Sequence, residues 1–528
     1  MDIHELLNGL SDPTAYPGRV DQIELRQTHI SIVSLTGEFV YKIKKPVKFP
    51  FLDFSSLDKR RFFCEREVAL NRRLAPQIYL GVVPIVIRDG RIAVETSGEP
   101  IEWAVKMRRL PEVATLENQL IRGEVDSSLM QLLGQRLADF HQQTQPDPQM
   151  AEYGRYAAIA QNINDNLTLE QQHGRVIDSS VMSRLLSLTL NELNSARELI
   201  ERRAEAGVPR DCHGDLHLDH VYVFPNELPP ADLCIIDCIE FNDAFRYIDP
   251  VADLAFLIMD FKFHGFPELA RELADAYFKA SGDQDGPRLL PLYVSYRAAV
   301  RAKVESLELT ETEVPTAERA AIEQRARAHW LLALSGLEVP SRRPCLLLIG
   351  GLPGTGKSTL AAELSENSGF TVIRSDVVRK ELASVQQVDV TIKHDYQTGL
   401  YAPDWIERTY TECLRRAIEL LEQGERVIVD ASFSQDVQRQ CFLAAAKKLA
   451  LPGLCFICQA EPEIIQNRLR QRTGDASDAD WTTYQYASRA WESVILESSR
   501  QFVEINTGKS DASALEQVRT NLREAGLL

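Results

Sequence analysis

PCLLLIGGLPGTGKSTLAAEL, residues 344–364, decides the fold of the second half of this chain. An apolar run, CLLLIG, enters a glycine-rich loop of the form G-x-x-x-x-G-K-[ST] at residues 351–358, and a helical pattern, TLAAEL, follows it. A strand that feeds such a loop into a helix N-terminus turns backbone N–H groups toward phosphate oxygens. Gly351, Gly354 and Gly356 let the backbone bend that way. Lys357 is placed to reach the β and γ oxygens, and the Ser358 hydroxyl to ligate magnesium. Thr355 and Thr359 complete the candidate nucleotide-binding set. A ligand-free glycine turn is the alternative, and a strand and a helix in the required places argue against it.

Downstream, apolar runs alternate with amphipathic segments: FTVIRSD, ERVIVDAS, LCFICQA and FVEINTG are each followed by a helical pattern. That alternation predicts an α/β domain with a parallel sheet and helical crossovers. Asp376 is expected to end the second strand, in VIRSDVVRKEL, with Arg379 three residues on. A carboxylate at that edge can deprotonate an acceptor hydroxyl, and the arginine can hold an anionic or polar acceptor. Asp430 ends VIVD, where an acidic side chain holds a magnesium-bound water. Arg468 and Arg472 share one helix face and form a candidate lid over the phosphates, a solvated face being the alternative. Cys455 and Cys458 form a lone CxxC inside an apolar run, which reads as buried strand rather than as zinc or redox chemistry.

The polar connector that begins LEVPSRRP divides the chain into residues 1–336, a linker at 337–343, and residues 344–528. The first part reads as short strands and turns over 28–50 and 76–107, then as helices interrupted by β-like pieces at 221–224 and 233–239. In EFVYKIKK, residues 38–45, alternation puts Lys42 and Lys44 on one face. Lys42 is the preferred phosphate-facing lysine. Glu67 in the following helical pattern is its expected partner, with Glu65 the nearest substitute. In HGDLHLDH, residues 213–220, Asp215 is the candidate base and His213 a brace for the loop, while Asp237 in CIIDCIEF is the candidate magnesium ligand. Asp253 is expected to brace the same loop, and Glu240 to assist.

The order lysine, glutamate, HGD, aspartate can be named as a resemblance. Through VYKIKK, CEREVALNRRLAP, HGDLHLDH and IIDCIEFNDAFRYIDPVADLAF, residues 1–335 resemble the aminoglycoside phosphotransferase family, an α+β branch of the protein-kinase-like fold. Residues 342–528 resemble P-loop kinases of the zeta-toxin and gluconate-kinase type through GLPGTGKST, SDVVRKEL, VIVDASF and RLRQR. The whole is similar to bacterial two-domain proteins that join the two. The resemblance implies two sites for ATP and Mg²⁺, without implying an antibiotic acceptor. His220 departs from it, because the family carries asparagine at that metal-ligand position. Imidazole serves magnesium poorly and zinc or manganese well. The preferred reading gives His220 a local packing or hydrogen-bonding role, which leaves a one-metal or weak site.

Composition bounds the partners. With 59 basic and 76 acidic residues the net charge is −17, which disfavours nucleic acid and anionic membranes. The start of the chain lacks a signal-peptide pattern, no apolar run approaches a membrane span, and nine scattered cysteines fit a reducing cytosol. The expected activity is therefore a cytoplasmic, ATP- and Mg²⁺-dependent phosphotransferase acting on a hydroxyl of a small molecule or protein. Its safer catalyst is the P-loop half. The rivals are a nucleotide-responsive regulator and a polynucleotide 5′-hydroxyl kinase.

Overall fold

A computed structural model describes residues 3–173, 176–310, 314–385, 399–471, 479–493 and 501–528. The chain forms two compact units. One comprises Met1–Gln161, Ala196–Phe261 and Phe266–Tyr293; the other comprises Asn162–Ser195, Lys262–Gly265 and Val294–Leu528. The helix Thr316–Leu337, which precedes the connector, thus belongs to the second unit.

The first unit begins with an antiparallel sheet. Its six strands run in the order Glu24–Gln27, Ser31–Thr36, Phe39–Lys44, Pro100–Arg108, Tyr79–Arg88 and Arg91–Val94. One face buries Ile32, Tyr41, Ile43, Ile85 and Ala104 with the N-terminal helix Ile3–Leu10. The helix Leu57–Asn71 packs on the two strands Pro100–Arg108 and Tyr79–Arg88. Ser56 caps it by accepting from the Lys59 N–H, which supplies one of the donors a helix start leaves unpaired. This helix turns Cys64, Glu67, Val68 and Asn71 inward and leaves Glu65 outside, paired with Arg61 at 2.9 Å.

The helical part carries two short antiparallel pairs, Val221–Val223 with Leu233–Ile235 and Arg210–Asp211 with Tyr247–Ile248. The β-like piece expected over 233–239 ends at Ile235, so Asp237 lies beyond the strand. The reason is backbone conformation: Asp237 adopts a left-handed φ of 68°, which no strand continues through. Residues 250–261 of the helix Pro250–Phe263 are all buried, including Asp253 and Asp260. An apolar sequence on every side makes this a core helix.

In the second unit five parallel strands run in the order Thr371–Arg374, Arg426–Asp430, Cys345–Gly350, Gly453–Gln459 and Phe502–Asn506. The central strand Cys345–Gly350 is wholly buried, as its unbroken apolar run requires. The strand expected to end at Asp376 ends at Arg374, and Asp376 occupies the first turn of the helix Ser375–Val385. The positive end of the helix dipole favours a carboxylate there. In register, Asp430 stands level with Ile349 on one side and Arg374 on the other. Three adjacent strands thus deliver the glycine loop, Asp430 and Asp376 to one sheet edge.

Candidate functional site

The glycine loop is shaped by contacts that exclude side chains. Gly351 has a φ of 139°, and a Cβ there would lie 2.6 Å from the Cys458 carbonyl oxygen. A Cβ on Gly354 would come within 2.9 Å of Ile465 and Leu469. The helix Lys357–Ser368 then starts from Gly356, so its first N–H groups open onto the loop. Lys357 Nζ donates to the Leu352 carbonyl at 2.9 Å, which arches the side chain back over the loop. Ser358 Oγ donates to Asp430 Oδ2 at 2.6 Å, and Arg374 Nε lies 3.4 Å from the same oxygen. Burial pushes the Asp430 carboxyl up, while Lys357 pulls it the other way.

A cavity of about 480 Å³ opens here, lined by Gly354, Gly356, Lys357, Ser358 and Thr359 on the loop side. Asp376 and Arg379, joined by a 2.5 Å hydrogen bond, also line it, as do Tyr410, Ser432 and Gln438. Arg468 also reaches the cavity while donating to the Thr507 carbonyl at 2.8 Å. Arg472 lies outside the described residues. Gly351 and Thr355 shape the loop from behind: the Thr355 hydroxyl donates to the Leu352 carbonyl at 2.8 Å, and its own carbonyl accepts from Thr507 at 2.5 Å. Cys455 and Cys458 are core groups of a central strand, their thiols pushed up to about 12 by burial. Three residues apart in a strand, they face opposite sides of the sheet.

The kinase-like site is held together by side chains. Lys42 Nζ bonds Asp237 Oδ1 at 2.5 Å and lies 3.0 Å from Glu67 Oε1. Lys44 bonds the other oxygen of Glu67 at 2.7 Å and also pairs with Glu240. One buried glutamate thereby orients both lysines, and Lys44 ties the segment after Asp237 to the helix Leu57–Asn71. Lys44 is 1% exposed and Lys42 15%, which leaves Lys42 as the lysine able to meet a ligand. The Asp237 N–H donates to Tyr79 Oη at 3.1 Å, and the Cys238 N–H to Asn71 Oδ1 at 2.9 Å. These bonds support the left-handed turn that aims Asp237. Desolvation would raise the Asp237 carboxyl, but the Lys42 ammonium holds it down at about 2. The two-fifths of this side chain open to solvent moderates both effects.

The HGDLH loop hangs from the core helix. Asp253 accepts from the backbone N–H groups of His213 and Gly214, at 2.9 and 2.8 Å, and bonds His141 Nε2 at 3.1 Å. His213 Nε2 donates to the Ile236 carbonyl at 2.8 Å, and burial lowers this imidazole to about 4, so it serves as a neutral brace. His141, Cys212 and Asp253 come close together, but these bonds and a 2.9 Å bond from His141 to Tyr277 occupy the group as a brace. His217 sits between two carboxylates, 2.8 Å from Asp215 Oδ1 and 3.1 Å from Asp260 Oδ2. Burial would lower the His217 imidazole; Asp215 and Asp260 outweigh it and push it up to about 10. Asp215 is thereby held by an imidazolium. His220 bonds the Asp215 carbonyl through Nδ1 at 2.8 Å, and its Nε2 lies 4.0 Å from Asp237 Oδ2.

A family model described as "Phosphotransferase enzyme family" matches residues 55–292, and one described as "AAA domain" matches residues 346–490. The uncharacterized protein Rv2004c of Mycobacterium tuberculosis is 33% identical over 458 residues, spanning 87% of this chain and 88% of its own length. The chain belongs to that family. This chain joins a kinase-like phosphotransferase domain to a P-loop kinase domain. Among solved structures, the amicoumacin kinase hAmiN with AMP-PNP and Ca²⁺ aligns at 13% identity over 62% of this chain and 93% of its own, with a TM-score of 0.38. A gluconokinase from Sinorhizobium meliloti 1021 aligns at 15% identity over 35% and 95%, with a TM-score of 0.27.

For this family member the oxygen donors of the P-loop cavity, Ser358 and Asp430, suit magnesium, which prefers hard oxygen ligands. The glycine cradle, which added Cβ atoms would crowd, suits phosphate. Among the described residues no helix is long and apolar enough to cross a membrane. Sequence reasoning assigned no role to His217, Asp260, Arg374 or Tyr410. For His217 a signal existed, its place two residues after Asp215. Asp260 and Tyr410 stand apart from the motifs in sequence, and Arg374, two residues before Asp376, meets Asp430 only through the fold.

Proposed function

We propose that this protein is an ATP- and Mg²⁺-dependent phosphotransferase with two nucleotide sites, and that the P-loop half is the principal catalyst. The observation that carries this reading is the Asp376–Arg379 pair on the wall of the cavity that also holds Lys357 and Ser358. A nucleotide-binding switch has no need of a carboxylate aimed at an acceptor position. In the proposed reaction Asp376 takes the proton of an acceptor hydroxyl. The acceptor oxygen then bonds to the γ-phosphorus as the β–γ bridging bond breaks, and ADP leaves. Lys357 follows the charge that moves onto the phosphoryl oxygens, and Arg379 holds both the base and a polar group of the acceptor. Ser358 and Asp430 would hold the magnesium ion, which neutralises phosphate charge when bound.

The test has two parts. First, the protein is incubated with ATP and a metabolite extract, with a 5′-hydroxyl oligonucleotide in parallel, and new phosphorylated species are identified. Second, Asp376→Asn is compared with wild type on the acceptor found. The expected result is near-normal ATP affinity and transfer reduced about 10²-fold or more. Lost ATP affinity with unchanged transfer per bound nucleotide would make Asp376 a binding residue. A labelled oligonucleotide would instead favour the polynucleotide kinase reading.

A further inference from the structure

We infer that the kinase-like half binds a six-coordinate divalent ion of the Mn²⁺ type through His220 and Asp237, in preference to Mg²⁺. The inference rests on the reading of this half as a nucleotide site and assigns a metal class to it. The 2.8 Å bond from His220 Nδ1 ends on the Asp215 carbonyl oxygen, which carries no proton. Nδ1 is therefore the donor, and in the neutral ring the lone pair is left on Nε2. A carbonyl on the far nitrogen is the outer contact that orients metal-binding histidines.

The partner is set as firmly. Asp237 gives Oδ1 to Lys42 at 2.5 Å, while Oδ2 stands 4.0 Å from His220 Nε2. Metal–ligand bonds of about 2.1 Å let two donor atoms on one ion lie up to about 4.2 Å apart. Adjacent ligands of a six-coordinate ion at that bond length lie about 3.0 Å apart, so the pair closes on one cation by an approach of about 1 Å. The His220 ring is further fixed by an edge contact with His217, at a centroid separation of 5.6 Å. One nitrogen and one carboxylate oxygen, completed by phosphate oxygens and water, make a mixed six-coordinate set. Mn²⁺ accepts imidazole in such a set more readily than Mg²⁺ does. The local hydrogen bond expected of His220 from the sequence is present, and it is the bond that aims Nε2 at Asp237.

The test uses the full chain carrying Lys357→Ala and Ser358→Ala, so that the P-loop does not contribute a metal. Mn²⁺ is titrated in the presence of adenylyl imidodiphosphate and followed by electron paramagnetic resonance. The expected result is one nucleotide-dependent Mn²⁺ with coupling to a directly bound nitrogen. Labelling with ¹⁵N-histidine should replace the ¹⁴N signature, which separates histidine from adenine nitrogen without any further substitution. His220→Asn should abolish the coupling and lower the ratio of Mn²⁺ to Mg²⁺ affinity by about tenfold or more. Bound Mn²⁺ without histidine coupling, or coupling that survives His220→Asn, overturns the assignment of His220 and leaves the nucleotide site standing. Absence of nucleotide binding in the P-loop-silenced chain overturns both.

Discussion

At the P-loop, the groups that shape the phosphate cradle lie within eight consecutive residues, 351–358, and much of the work is done by backbone. In the kinase-like half, Lys42 and Asp237 meet across 195 positions, and Lys44 and Glu240 across 196. The first design needs glycine and a helix start, both local and inexpensive to fold. The second needs a sheet, a helix and a loop to arrive together, and it places two ammonium groups near 1%-exposed Glu67. Buried charge of that kind is tolerable only while every partner is present. Damage should therefore be local in one half and structural in the other.

The sharpest way to break this contrast is Glu67→Ala. Removing the shared carboxylate leaves Lys42 and Lys44 without their common partner and should cost about 3–5 kcal/mol in the first unit. Chemical denaturation, read by hydrogen exchange over residues 39–44 and 57–71, checks this. A loss below about 1 kcal/mol would mean that Glu67 is not holding the lysines. Lys357→Ala comes next. It should lower phosphoryl transfer by the P-loop half roughly 10²–10³-fold, about 2.7–4 kcal/mol of barrier, while leaving the unfolding midpoint near wild type. Steady-state kinetics in an Asp215→Asn background isolates that half, and an unfolding midpoint shifted as far as that of Glu67→Ala would erase the contrast.

A different kind of effect, a slope against pH instead of a loss at one pH, follows from His217. Its pKa rises from 6.5 to about 10 in the folded chain, so the folded state binds this proton more tightly than the unfolded state does. The resulting stability is present in full below about pH 6.5, declines as pH rises, and is gone above about pH 10. His217→Gln should flatten that part of the profile in denaturation curves taken across the window. An unchanged slope would show that Asp215 and Asp260 do not hold an imidazolium. The smallest effect belongs to Glu65→Ala. This residue is exposed and paired only with Arg61 among the contacts described, so its loss should stay within about 0.5 kcal/mol. Set beside Glu67→Ala, it measures how much burial magnifies the same charge deletion.

The sequence alone was sufficient for the P-loop, because G-x-x-x-x-G-K-S carries its mechanism in consecutive residues and its flanking strand and helix show in the apolar pattern. It also sufficed for the alternation of strands and helices along the parallel-sheet domain, since the three inner strands are buried and largely apolar runs. It could place Lys42, Lys44, Glu67, Asp215 and Asp237 in a plausible order, yet it could not say which lysine stays open to a ligand. Only the tertiary structure decided that, by burying Lys44 between Glu67 and Glu240 and leaving Lys42 on Asp237. It also decided the direction of His220. A hydrogen bond to the Asp215 carbonyl fixes which nitrogen faces Asp237, and that bond depends on how the loop closes around residues 215–220. Periodicity reports which face a residue occupies; the partner across the fold is set by packing, which no local spacing encodes.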